Sequence, residues 1–117
     1  MQDFRNLEVW RLAHALTLEI YGATKPFPAD ERYGLTSQLR RAAASVEANL
    51  AEGCGRGSDA DFARFTQVAM GSASEVECHL LIARDLGLLD NNLYTKLDGK
   101  QQQVKRMLAG LLKRLRT

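Results

Sequence analysis

The segment Glu75-Val76-Glu77-Cys78-His79 brings two carboxylates, a thiol and an imidazole into five residues. These are the side chains that ligate transition metals. A di-iron bundle site takes Glu-x-x-His from two helices and a further glutamate from each of two others. Here Glu75 and His79 stand four apart, Glu77 and His79 two apart, and the remaining histidine is the distant His14. Cys78 and His79 are neighbours and point about 100° apart on a helix, so one ion is hard for them to share. No metal and no cofactor is expected. A cysteine–histidine nucleophile pair would need Cys54 to meet His14 across the fold, and the chain is not expected to be an enzyme.

The run "AEGCGRGSDADF", Ala51–Phe62, suggests a loop that cradles phosphate. A P-loop needs GxxxxGK[ST] after a strand, and the dinucleotide fingerprint needs GxGxxG. The run GCGRG fits neither pattern. Gly53 instead reads as the C-terminal cap of one helix, and Ser58 with Asp61 as the N-terminal capping pair of the next. The loop is therefore read as a hinge. The alternative is an anion at that helix N-terminus, helped by Arg56.

A third constellation is polar. Arg41, Ser45, Asn49 and Glu52 follow at spacings of four, four and three, and Ser72, Glu75 and His79 form a matching stripe further along. One reading is solvated surface. The other is an ordered network, within the fold or between subunits, in which Glu75 or Glu52 neutralises Arg41. The Arg41/Asn49/Glu52/Glu75 cluster is also the pocket for the alternative function, a small-molecule or metal-dependent enzyme.

The elements that must position these residues are helices. The only two prolines, Pro26 and Pro28, share one connection, and no segment alternates as a strand would. A 3.6-residue apolar period predicts helices over 7–24, 30–52, 59–86 and 91–116. Their buried faces begin with Val9, Leu35, Phe62 and Leu93 respectively, and Gly87 sits where a C-terminal cap belongs. Short loops between four amphipathic helices imply an all-α fold, an up-down-up-down antiparallel four-helix bundle, as one domain over 1–117. The first helix carries a second line, Leu7, Trp10, His14, Thr17 and Tyr21. Trp10, His14 and Tyr21 are therefore expected at a contact with another copy of the chain.

Net charge is +2 but unevenly spread: residues 96–117 hold seven Lys/Arg and one acid, giving +6. Lys105, Arg106, Lys113, Arg114 and Arg116 form a basic face or its border on the fourth helix, without aromatic residues for base stacking. Such a face suits contact with the phosphates of RNA or DNA without base reading. No apolar run approaches the roughly 18 residues that cross a bilayer. Neither a membrane partner nor a secretory signal is expected, and two unpatterned cysteines suit a reducing cytoplasm.

Three stretches carry a family resemblance: "LEVWRLAHAL" (Leu7–Leu16), "FPADERYGLTSQLRRAAASVEANLAEG" (Phe27–Gly53) and "FTQVAMGSASEVECHL" (Phe65–Leu80). The chain resembles the four-helix bundle proteins named for intervening sequences in 23S ribosomal RNA genes. Gln38, Arg40, Arg41, Ala42, Ser45, Asn49, Ala51, Glu52 and Gly53 fit that family's QxRRAxxSIxxNIAEG, and Gly71, Ser72 and Glu75 fit its GSxxE. The resemblance implies a cytosolic bundle that assembles as a ring, a homopentamer, with no established enzyme activity. Related accessory proteins of diversity-generating retroelements include a strongly basic member that binds nucleic acid. The +2 charge here departs from that member, and the fourth helix has little of the family's wording. The expected function is a non-enzymatic oligomeric bundle, a scaffold that touches nucleic-acid phosphates. A protein-interaction adaptor is a further reading.

Overall fold

The computed structural model describes residues 3–117. Four α-helices follow in order, α1 (Glu8–Thr24), α2 (Leu35–Cys54), α3 (Asp59–Asp85) and α4 (Asn91–Leu115), with 3-10 turns at Phe4–Asn6 and Ala29–Glu31. Each helix packs on its two neighbours, and α1 on α4 closes the bundle. Cross-links such as Arg116–Gln67 and Lys105–Glu77 run in opposite directions along α3 and α4, as an antiparallel arrangement requires. The rod measures 43 × 23 × 20 Å.

Three helix ends are closed by local hydrogen bonds, the first two where the sequence places them. Ser58 Oγ accepts from the Asp61 amide at 3.2 Å, and the early acids Asp59 and Asp61 complement the α3 dipole. Gly87, at φ +76°, ends α3 in a left-handed turn. Its amide donates to Arg84 O, and the Leu88 amide donates to Ala83 O. Asp90 Oδ1 caps α4 by accepting from the Leu93 amide at 2.7 Å.

Two expectations fail at the ends of α2. The helix starts at Leu35 and not at Asp30, because Gly34 (φ −111°, ψ −113°) takes a backbone no helix can continue through. The freed Leu35 amide donates to Glu31 Oε1 at 3.2 Å. At the other end Gly53 is not the cap: the helix runs through Cys54, and Gly55 caps it. A Cβ on Gly53 would lie 2.8 Å from Phe62 Cδ1 and 3.1 Å from Phe65 Cβ. Gly53 is small so that α2 and α3 can approach closely beside their connection.

The core is one continuous cluster from all four helices. Ile20, Leu39, Leu50, Leu80, Leu97 and Leu108 are its largest sealed aliphatic side chains, each worth about 1.5–3 kcal/mol of apolar burial. Ala42, Ala43, Ala69 and Ala73 are also buried and let α2 and α3 pack tightly.

Candidate functional site

The α2 and α3 stripes face one another across an open groove of about 700 Å³, counting its mouth, lined by Gln38, Arg41, Ala42, Ser45, Ser72, Glu75 and His79. On its floor Ser45 Oγ and buried Ser72 Oγ are 2.8 Å apart. Asn49 Nδ2 donates to Ser45 Oγ at 3.1 Å and to Ser45 O at 2.8 Å. These hydrogen bonds join Ser45, Asn49 and Ser72 of the two stripes.

The expected charge pairing does not form. Glu52 instead pairs with Arg56, just beyond the end of its helix, at 3.2 Å. Among the described residues no ion pair joins Arg41 to Glu75 or to Glu52. Arg41 and Glu75 stand exposed on opposite walls of the groove. The physical reason is reach: Glu52 and Arg56 are four residues apart, about one turn, whereas Arg41 lies just over three turns back. The Arg41/Asn49/Glu52/Glu75 cluster is thus not a single pocket. Cys54 is buried in the core, where burial pushes its thiol pKa up, and Cys78 is exposed. His14 pairs with Glu47, so Cys54 and His14 do not form the nucleophile pair. Among the described residues no group of three or more His, Cys, Asp or Glu is placed to hold a metal ion, and no helix is long and apolar enough to cross a membrane.

The α1 line is only partly free. Trp10 is half-buried, edge-on to Phe4 (centroids 4.9 Å) and stacked on His14 (4.8 Å, 9° between planes). His14 Nδ1 lies 2.8 Å from Glu47 Oε2 on α2. Tyr21 keeps 42% of its surface, with the Arg40 guanidinium 4.7 Å above its ring. Neither aromatic is wholly enclosed, yet each already has intrachain partners.

The basic face of α4 is divided in the same way. Lys105 Nζ donates to Glu77 on α3 at 2.9 Å, and Arg116 donates to Gln67 Oε1 at 3.3 Å. Glu77 also accepts from Gln102. Those hydrogen bonds, Lys105 first, hold its carboxyl pKa below the usual glutamate value. Arg106, Lys113 and Arg114 are exposed. Arg114 borders a shallow groove with Glu8 and Met107 at the α1–α4 seam.

Sequence reasoning missed the outer face of α3. Val68, Ile82 and Leu86 are 48%, 40% and 60% exposed. Helical geometry puts them on one arc, with Gly71, Glu75 and Cys78 at or beside it, roughly 100–150° from the buried line through Ala69, Val76 and Leu80. The signal was present: α3 has apolar residues on both faces, whereas a bundle needs only one. Leu18 on α1, 60% exposed, is a smaller case.

The sequence model of a family described as 23S rRNA-intervening sequence protein matches residues 5–110. A crystal structure of a protein of unknown function from the S23 ribosomal protein family of Bacteroides thetaiotaomicron is similar at a TM-score of 0.81 and 19% identity. The match covers 90% of this chain and 98% of that one, and at such identity the likeness concerns the fold. No curated protein matches the chain.

Proposed function

Because the chain belongs to the 23S rRNA-intervening sequence protein family, we propose that it works as a non-enzymatic, self-associating helical scaffold. The observation that carries this reading is the second apolar arc of α3, with Val68, Ile82 and Leu86 in water. A face of this kind is normally covered in the working protein. Another copy of the chain fits it, because exposed Arg41 and Glu75 beside the arc give one surface both signs of charge. The family resemblance implies five copies.

Light scattering on the purified chain tests the reading. The wild type is expected at a multiple of 13.0 kDa. Ile82→Asp is expected at the mass of one chain with unchanged helix content, since this exposed site adds little to the fold itself. A wild-type monomer at micromolar concentration would refute self-association.

A second reading rests on Arg106, Lys113 and Arg114, exposed basic groups on one end of α4. On this reading the assembly also contacts nucleic-acid phosphates without reading sequence. A band shift at low salt that disappears at higher salt is the expected result, and no shift at low salt would remove the idea. The enzyme alternative is less well supported, because Glu52 belongs to Arg56 and not to the groove.

A further inference from the structure

The centre of the bundle holds a polar level that crosses three of its four seams. Thr17 Oγ1 on α1 lies 3.2 Å from Ala43 O on α2, and Ser45 on α2 meets Ser72 on α3. Gln101 Nε2 on α4 donates to Ala73 O on α3. At this depth no direct hydrogen bond joins α4 to α1 among the described residues; their link, Lys100 to Glu19, lies nearer the surface.

Gln101 is 1% exposed, and its Oε1 is sealed from solvent without a hydrogen-bond partner. Rotating the amide would set Oε1 against Ala73 O, acceptor against acceptor, so the nitrogen is fixed toward α3 and the oxygen away from it. On the α4–α1 side lies a small cavity lined by Gln101, Thr17 and Ala43, with Leu16, Val46 and Val104 as apolar walls. Its free volume is about 10 Å³, near the lower limit for one water.

We infer that this cavity is a binding site for a single water molecule that bridges Gln101 Oε1 and Thr17 Oγ1. The donor and acceptor counts agree. Thr17 has one hydroxyl proton, directed between Ala13 O (2.9 Å) and Ala43 O (3.2 Å), so its lone pairs stay free to accept. A water donates one proton to Gln101 Oε1 and the other to Thr17 Oγ1, which gives it the two partners a buried water needs. An ion would face apolar walls and no opposite charge, and an organic molecule is too large. The bridge closes the polar level around all four helices. A sealed amide that is satisfied only when α4 sits opposite Thr17 ties α4 to one register.

Water–protein NMR cross-relaxation on the full chain, with a high-resolution crystal structure, tests this site. Water cross-peaks to the Thr17 methyl and the Gln101 side-chain amide, with matching density, are the expected result. Both are lost in Gln101→Met, whose helix content is unchanged. If Gln101→Met does not fold, Thr17→Val makes the same comparison with a near-isosteric change. A dry cavity in the folded wild type overturns the inference, and so does a water that persists in either variant.

Discussion

The same glycine-to-alanine change is expected to act in opposite directions at two places in this chain. Gly99 lies within α4, and a Cβ there would meet nothing within 4 Å. Gly99→Ala should therefore show the bare helix preference, a stabilisation of about 0.8–1 kcal/mol. At Gly53 the new methyl would sit 2.8 Å from Phe62 Cδ1, with Phe65 Cβ at 3.1 Å behind it. Phe62 is only 8% exposed, so its ring must be displaced within a packed core. Overpacking of that kind costs about 1–3 kcal/mol. The helix preference offsets at most about 1 kcal/mol of this, so Gly53→Ala is expected to destabilise by up to about 2 kcal/mol. The two variants should differ in melting temperature by roughly 5–15 °C in thermal unfolding followed by circular dichroism at one protein concentration. Gly53→Asn separates packing from capping. A left-handed cap tolerates asparagine better than alanine, whereas a crowded contact tolerates the larger side chain less. If Gly53→Ala stabilises like Gly99→Ala, or asparagine outperforms alanine at 53, the close-approach account of Gly53 is wrong.

Other perturbations probe separate levels of the structure. Leu108→Ala, at a site with no exposure, should lose about 2–5 kcal/mol in urea unfolding, and a smaller loss would mean the core refills the space. Glu77 has a lowered pKa in the fold, so the native state holds its proton less tightly than the unfolded chain does. Its stabilisation is then complete above the ordinary value of 4.5 and fades as pH falls through that value toward the folded one. Glu77→Gln should flatten that acid limb in a series of melts, and an unaltered limb would contradict the assignment. Arg41→Glu should weaken self-association in light scattering and Arg41→Glu with Glu75→Arg should restore it, whereas equal masses for all forms would show that these charges do not meet across copies. If Arg106, Lys113 and Arg114 all touch phosphate, log affinity against log salt should slope at roughly −2 to −3. Arg114→Ala should lower that slope by about 1, and an unchanged slope would place the contact elsewhere.

How far the fold was legible depends on whether a residue's role is set locally. The Ser58–Asp61 cap and the Gly87 turn involve groups a few residues apart, and the sequence signals matched the structure at both. The start of α2 was misplaced because Asp30 and Glu31 look like a first turn, while one backbone torsion at Gly34 ends that turn. Gly53 was misassigned because its need for smallness comes from Phe62 and Phe65 in the next helix. The polar stripes were placed correctly along their helices, but their partners were not. Spacing gives the direction in which Glu52 and Arg41 project, whereas Arg56 takes Glu52 because it is one turn away. The basic face had the same limit, since nothing in α4 announces that Glu77 on α3 will take Lys105.

Sorting polar side chains by depth shows where partners can act. The sealed hydroxyls of Thr24 and Thr66 donate to carbonyls one turn back in their own helices, and Thr17 adds a reach to α2, so all three serve the fold. Groups at intermediate depth pair across seams, as His14 does with Glu47 and Lys100 with Glu19. These pairs occupy the charges nearest the helix boundaries and bias which neighbour each helix accepts. Arg41, Glu75, Arg106, Lys113 and Arg114 belong to neither class: they lie in water, beside the exposed arc of α3 or near the far end of α4. Changing a side chain of the first two classes alters how the chain folds. The third class can change with little effect on the monomer, so its loss should be felt in what the folded bundle binds. For that reason an intact monomer with altered mass or altered salt dependence is the informative phenotype, and a fall in stability from any of these five would mean that they hold the bundle together instead.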